Sequence, residues 1–181
     1  MTSPVSAVSR VPALLVTGAP GAGKSALVKE LSEQLWRAQS FHAVVDLDEL
    51  CRGVLPDATT DFGLDLAAAN LAPVWANFRE RGAQRLLLAR IVQSPDDVRR
   101  IQTALPDCEL TVCRIRVDHT TLLERIDHRE PGTSREFLRS VALDLADTID
   151  ALDLPGFTVD NDKGQRISDL AANVLERLGW P

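Results

Sequence analysis

Residues 18–25 read Gly18-Ala19-Pro20-Gly21-Ala22-Gly23-Lys24-Ser25, which fits G-x-x-x-x-G-K-[ST] at every position. This is the pattern of a phosphate-binding P-loop, and the chemistry explains its residue types. Glycines let a backbone wrap a polyanion closely, in conformations that a side chain forbids. Amide N–H groups of the loop and of the helix start that follows it, Ala26 included, then face the phosphates. Lys24 reaches the β- and γ-phosphates as a point charge, and the Ser25 hydroxyl takes one position on Mg²⁺.

The flanks agree with the loop. Ala13-Leu14-Leu15-Val16-Thr17 is a short apolar run suited to a buried parallel strand. Beyond the loop, Leu27, Val28, Leu31 and Leu35 recur at helical spacing, with Lys29, Glu30, Glu33 and Gln34 on the remaining surface. Strand, glycine loop and helix form the setting in which the motif binds nucleotide.

Composition narrows the classes. The chain has 181 residues, 45% hydrophobic and 25% charged, the profile of a globular protein long enough for a sheet covered on both faces. Its net charge of −6 gives no reason to expect a nucleic-acid or acidic-membrane partner, so an anionic ligand must meet locally concentrated cations. Only Lys24, Lys29 and Lys163 are lysines, which makes the one in the loop informative. Cys51, Cys108 and Cys113 lack paired metal spacing and read as free thiols in a reducing cytosol. No apolar run of about 18 residues predicts a membrane span. Residues 1–10 lack a signal-peptide core and read as a disordered leader, leaving 11–181 as a single domain.

A second strand is expected over 41–46, ending in Asp46-Leu47-Asp48. In an open α/β sheet, ligands bind outside the carboxyl ends of the strands, so both aspartates fall on the rim that carries the P-loop. Asp48 has two readings, a functional carboxylate or an N-cap for the segment 49–52. After a loop over 53–61, Leu64, Ala67, Ala68, Leu71, Val74, Trp75 and Phe78 form a helical stripe ending near Gly82. Trp75 and Phe78 read as core, and Pro73 predicts a kink or two abutting helices.

The third strand is expected over 85–92. A metal-side acid commonly follows such a strand, but the position holds Arg90, which makes Asp46 the leading candidate for that carboxylate. Ser94 and Pro95 predict a helix start, and 110–117 a fourth strand, with Asp118 capping the next helix. On that helix Arg125 and Arg129 border the apolar face, and Pro131-Gly132 breaks it. Thr133 and Glu136 form a capping box for a helix whose stripe runs Leu138, Val141, Ala142, Leu145, Ile149 and Leu152. The arginine-bearing break reads either as a lid over phosphates or as a solvated hairpin. A fifth strand (157–160) and a last helix closed by Gly179 complete the chain. Asn161-Asp162-Lys163-Gly164 has the wrong order for a guanine-reading motif and gives no support for GTP.

Together these features resemble the small-molecule kinase branch of P-loop proteins, which includes shikimate, gluconate and adenylyl-sulfate kinases and chloramphenicol phosphotransferase. The resemblance spans nearly the whole chain in element order. It implies a three-layer α/β/α fold with a five-stranded parallel sheet of order 2-3-1-4-5, ATP with Mg²⁺, and a short helical lid over about 125–136. It assigns Gly18, Ala19, Pro20, Gly21, Ala22, Gly23, Lys24, Ser25, Ala26 and Arg125 to the nucleotide. Ser25 and Asp46 fall to the metal, Asp48 to the acceptor hydroxyl, and Lys24 and Arg129 to the transferring phosphate.

The implied activity is transfer of the ATP γ-phosphate to a hydroxyl of a small molecule, in the cytoplasm, by a monomer or homodimer. Two alternatives stay open. One is an ATP-binding regulatory protein with weak hydrolysis, favoured by Arg90. The other is a nucleotide or dephospho-cofactor kinase, which needs more arginines facing the acceptor. Residues 49–82 spell out no acceptor pocket, and the chain has no tyrosine for stacking a sugar or base.

Overall fold

Five apolar runs become strands: β1 (Val11–Thr17), β2 (Ala43–Asp46), β3 (Leu86–Ala89), β4 (Cys108–Arg116) and β5 (Gly156–Asp160). In the computed structural model, which describes residues 10–53, 63–129 and 132–181 apart from the side chains of Arg129, Thr133 and Ser134, they pair in parallel in the order β2-β3-β1-β4-β5. This is the order that the resemblance implies. The expected leader therefore lies almost wholly outside the described residues, as do most of the 53–61 loop and the break at Glu130 and Pro131.

Parallel pairing requires crossovers, and the helices supply them: α1 (Lys24–Arg37), α2 (Leu64–Glu80), α3 (Pro95–Ala104), α4 (His119–Arg129), α5 (Gly132–Ala151) and α6 (Ile167–Leu178). Alternation along β1 sets the layers. Leu14 and Val16 pack with residues of α1, α4, α5 and α6, while Val11, Ala13 and Leu15 face α2 and α3. Leu14, Leu15, Leu87 and Leu88 are all fully buried, as expected of central strands covered on both faces.

Boundaries moved where tertiary partners intervene. The third strand ends at Ala89 rather than Val92. Arg90 still donates its N–H to Val16 O, but the Val92 N–H turns to the Thr17 hydroxyl, which takes the chain out of the sheet. Ser94 caps α3 by accepting from Asp97 N, and Asp118 Oδ1 accepts the Thr121 N–H at the start of α4. Trp75 is core, with its indole N–H donated to Asp107, whereas Phe78 is exposed, so its expected core role is corrected. Phe78 sits in the last turn of α2.

Of the two outcomes expected at Pro73, two abutting helices are not found, because α2 is one continuous helix through the proline. Pro73 lies on the exposed side, and so does Ala69, whose carbonyl loses its helical donor. Water can satisfy that carbonyl, while Leu64, Ala67, Leu71 and Trp75 hold the other side of the helix in the core. Pro73→Ala should restore the missing bond and raise stability by about 1–3 kcal/mol, read as a higher urea midpoint. An unchanged or lower midpoint would show that the ring itself packs usefully.

Candidate active site

The P-loop leaves the carboxyl end of β1 and turns directly into α1. Gly23 is the N-cap of that helix at φ 104°, and a Cβ there would lie 2.6 Å from Asn161 Nδ2. At Gly18 (φ 153°) a Cβ would lie 2.6 Å from Ile115 O of β4. Both positions exclude side chains on conformational and steric grounds, so the loop is a backbone cradle at a helix N-terminus. Lys24 Nζ donates to Gly18 O (2.9 Å) and Ala19 O (3.2 Å), which holds the ammonium along the same cradle. A glycine turn at a helix N-terminus with a cation beside it fits a polyphosphate.

From the other side the loop is clamped by residues distant in sequence. Asn161, buried at the end of β5, donates its amide to Ala22 O at 2.8 Å. Arg125 donates to Asn161 O (2.8 Å) and Ala22 O (3.4 Å). Arg125 thus sits half-buried against the loop, whereas the Arg129 side chain is not among those described. The Asn161-Asp162-Lys163-Gly164 stretch acts here as a brace for the loop through its asparagine, a role that sequence reading missed. Its only signal was an asparagine directly after an apolar strand.

The acidic pair lies on the same rim. β2 and β1 flank β3, with Asp46 in register with Ala89, and Ala89 with Val16. That puts Asp46 two strands from the loop, about 10 Å at ordinary strand spacing. The chain bends at once after β2, because Asp46 Oδ1 accepts the Asp48 N–H at 3.0 Å. Asp48 therefore lies at φ −65°, ψ −33° rather than extended, and its carboxylate makes no capping bond to the 3-10 turn Glu49–Cys51. It binds Arg90 instead, which donates to Asp48 Oδ1 at 2.7 Å and to Cys51 Sγ at 3.3 Å. Arg90 is 3% exposed and the Asp48 side chain 52%, so a buried guanidinium anchors a carboxylate that remains open. Sequence reading treated Arg90 only as a missing acid, whereas it is the residue that fixes Asp48.

Ser25, exposed in the first turn of α1, and Asp46 offer hydroxyl and carboxylate oxygens, a hard donor set that suits Mg²⁺.

Beside Asp48 and Arg90 opens a cavity of about 430 Å³. Pro20 of the P-loop borders it, as do Leu64 of α2 and Ile91, Gln93 and Asp97 around the start of α3. Its remaining wall is α5, through Phe137, Leu138, Val141, Asp144, Leu145 and Thr148. The apolar stripe of this helix splits. Ala142, Ala146 and Ile149 are buried, while Leu138, Val141 and Leu145 turn a half-buried edge to the cavity. Hydrophobic periodicity could not separate the two, since both faces read as apolar.

Burial, the largest influence, lifts the Asp46 carboxyl above its ordinary value, aided by the Asp48 and Glu49 charges and opposed by the Asp48 N–H and Lys24. A carboxyl raised in the folded state binds its proton more tightly there, so ionised Asp46 costs stability at neutral pH. That cost fades as pH falls through the raised value. Asp46→Asn keeps an oxygen for the Asp48 N–H and should hold the ligand-free thermal midpoint at or above wild type at pH 7, with the gap closing in acid. A lower midpoint at pH 7 would mean that the charge supports the fold.

The AAA domain family matches residues 14–142, more than half of the chain. No curated protein matches at the sequence level. Among solved structures, the tunicamycin resistance protein of Deinococcus radiodurans is 17% identical with a TM-score of 0.66, over 95% of this chain and 98% of that one. A gluconokinase from Sinorhizobium meliloti 1021 is 16% identical with a TM-score of 0.64, over 93% and 91%. The Mycobacterium tuberculosis APS kinase in complex with AMPPNP and APS is 16% identical with a TM-score of 0.57, over 94% and 98%. With its glycine cradle, β2-β3-β1-β4-β5 sheet and these likenesses, the chain belongs to the AAA domain family and has the fold of the P-loop small-molecule kinases.

Proposed function

We propose that this protein is an ATP-dependent phosphotransferase that moves the γ-phosphoryl group of ATP to a hydroxyl of a small molecule. The observation that carries the proposal is one cavity bordered both by Pro20 of the P-loop and by Asp48. An acceptor seated there has the phosphate cradle on one side and a carboxylate on the other, as in-line transfer requires.

The proposal gives each residue a role. Main-chain N–H groups of the loop and of the start of α1, apart from Pro20, which has none, and the Lys24 ammonium bind the phosphates and offset their charge. Ser25 and Asp46 hold Mg²⁺, which when bound neutralises phosphate charge. Arg90 occupies Asp48 Oδ1 and leaves Oδ2 for the acceptor hydroxyl. Asp48 orients that hydroxyl and takes its proton as the new oxygen–phosphorus bond forms and the bond from the γ-phosphorus to the bridging oxygen breaks, releasing ADP. Arg125 braces the loop from the α4 side. For Arg129, at the end of α4, the resemblance supports a role in stabilising charge that grows on the transferred group.

The regulatory alternative rested on Arg90 in place of an acid. Its bond to Asp48 gives that arginine a place on the acceptor side instead, which favours transfer.

Lys24→Ala should fold normally and weaken ATP binding by about 10- to 100-fold in calorimetry, the scale of lost charge-assisted hydrogen bonds. Unchanged affinity would remove the nucleotide site. Asp48→Asn should keep ATP affinity near wild type and depress acceptor phosphorylation, measured as ADP release with a metabolite pool. Arg129→Ala should cut turnover on the order of 10²-fold while changing the ATP dissociation constant far less. Equal losses in both would make Arg129 a ground-state contact.

A further inference from the structure

The cavity beside Asp48 carries a charge pattern that bears on what it accepts. Among its described lining residues the carboxylates are Asp48, Asp97 and Asp144, and the single cation is Arg90. Arg90 is already paired with Asp48 and is 3% exposed. The start of α3 is the other feature able to attract an anion, and it is taken. Asp97 accepts the Gln93 N–H at 2.7 Å and the Ser94 hydroxyl at 2.8 Å, while Ser94 caps the Asp97 N–H. A carboxylate, sulfate or phosphate ester seated here would meet no uncommitted cation among the described residues and several like charges, an arrangement that costs binding.

The rest of the wall is apolar. Leu64, Ile91, Phe137, Val141 and Leu145 surround the polar end at Asp48, and Phe137 is 58% exposed, a large aromatic turned outward at this rim. Such a lining rewards an apolar body, at the scale of about 25 cal/mol per Å² removed from water. Asp144 interrupts it. It lies between Val141 and Leu145 on the cavity side of α5, is exposed, and makes no hydrogen bond or ion pair with the described residues. A carboxylate on such a wall accepts hydrogen bonds and cannot donate them at neutral pH. The volume of about 430 Å³ is in the range of pockets that enclose a drug-sized molecule.

We infer that the acceptor is a largely apolar alcohol with no anionic group, its reacting hydroxyl at Asp48 and a second donor, a hydroxyl, amide or ammonium, at Asp144. This rests on the phosphotransferase reading above and adds a specificity residue to it. Asp144 reads the acceptor, and α5 supplies the surface that favours apolar bodies over sugar acids and phosphorylated metabolites.

The test uses a macromolecule-free cell extract divided by ion exchange into anionic, neutral and cationic pools, each incubated with the full-length protein and γ-labelled ATP. Label should enter the neutral or cationic pool and be retained on a reversed-phase column. Asp144→Lys should lower that labelling on the order of tenfold through a higher acceptor KM, the scale of one charge-assisted contact. Asp144→Asn, the isosteric change, should move it in the same direction. Label confined to the anionic pool would overturn the inference and leave the phosphotransferase intact. Unchanged acceptor KM in both variants would overturn the role of Asp144. No label in any pool would overturn the phosphotransferase reading itself, and the inference with it.

Discussion

The constraint on which the phosphate cradle depends is the space around the loop glycines. Gly18 is pressed against the Ile115 carbonyl of β4, and Gly23 against the Asn161 amide at the end of β5. No side chain fits at either point, so the loop holds its shape only while β4, β5 and α1 keep their mutual positions. The clamp on Ala22 O by Asn161 and Arg125 completes this arrangement from β5 and α4. A preformed cradle of this kind spends little free energy on ordering when a polyanion binds.

The second constraint is the buried guanidinium of Arg90. A charge so nearly removed from water requires a partner, and Asp48, 42 residues earlier, supplies it. The consequence reaches past stability. Because Asp46 turns the chain by accepting the Asp48 N–H, the bend after β2 and the arginine after β3 together determine where Asp48 stands. A residue that looks like a lost acid in the chain is, in the fold, the anchor of the acidic pair.

The cysteines show the same difference between position and environment. Burial pushes the Cys108 and Cys113 thiols up to about 12, which keeps them protonated and unreactive inside the sheet. Cys51 lies instead at the rim, with its sulfur 3.3 Å from the Arg90 guanidinium.

The sequence alone determined the elements and their order. The P-loop motif, the apolar runs of β1 and β3, the stripes of α1 and α6, and the Ser94-Pro95 start of α3 are local signals, each set by a few consecutive residues and backbone preferences. So are the candidates Lys24, Ser25, Asp46 and Asp48, since a parallel sheet puts every strand's carboxyl end on one rim. Only the tertiary structure decided how Asp48 is held, which face of α5 lines the cavity, and that Asn161 braces the loop. These depend on pairings across 42 and 139 residues. Hydrophobic periodicity reports that Val141 and Ala142 are both apolar, but not which of them meets the core. That depends on the packing of α5 against the sheet, which no local pattern encodes.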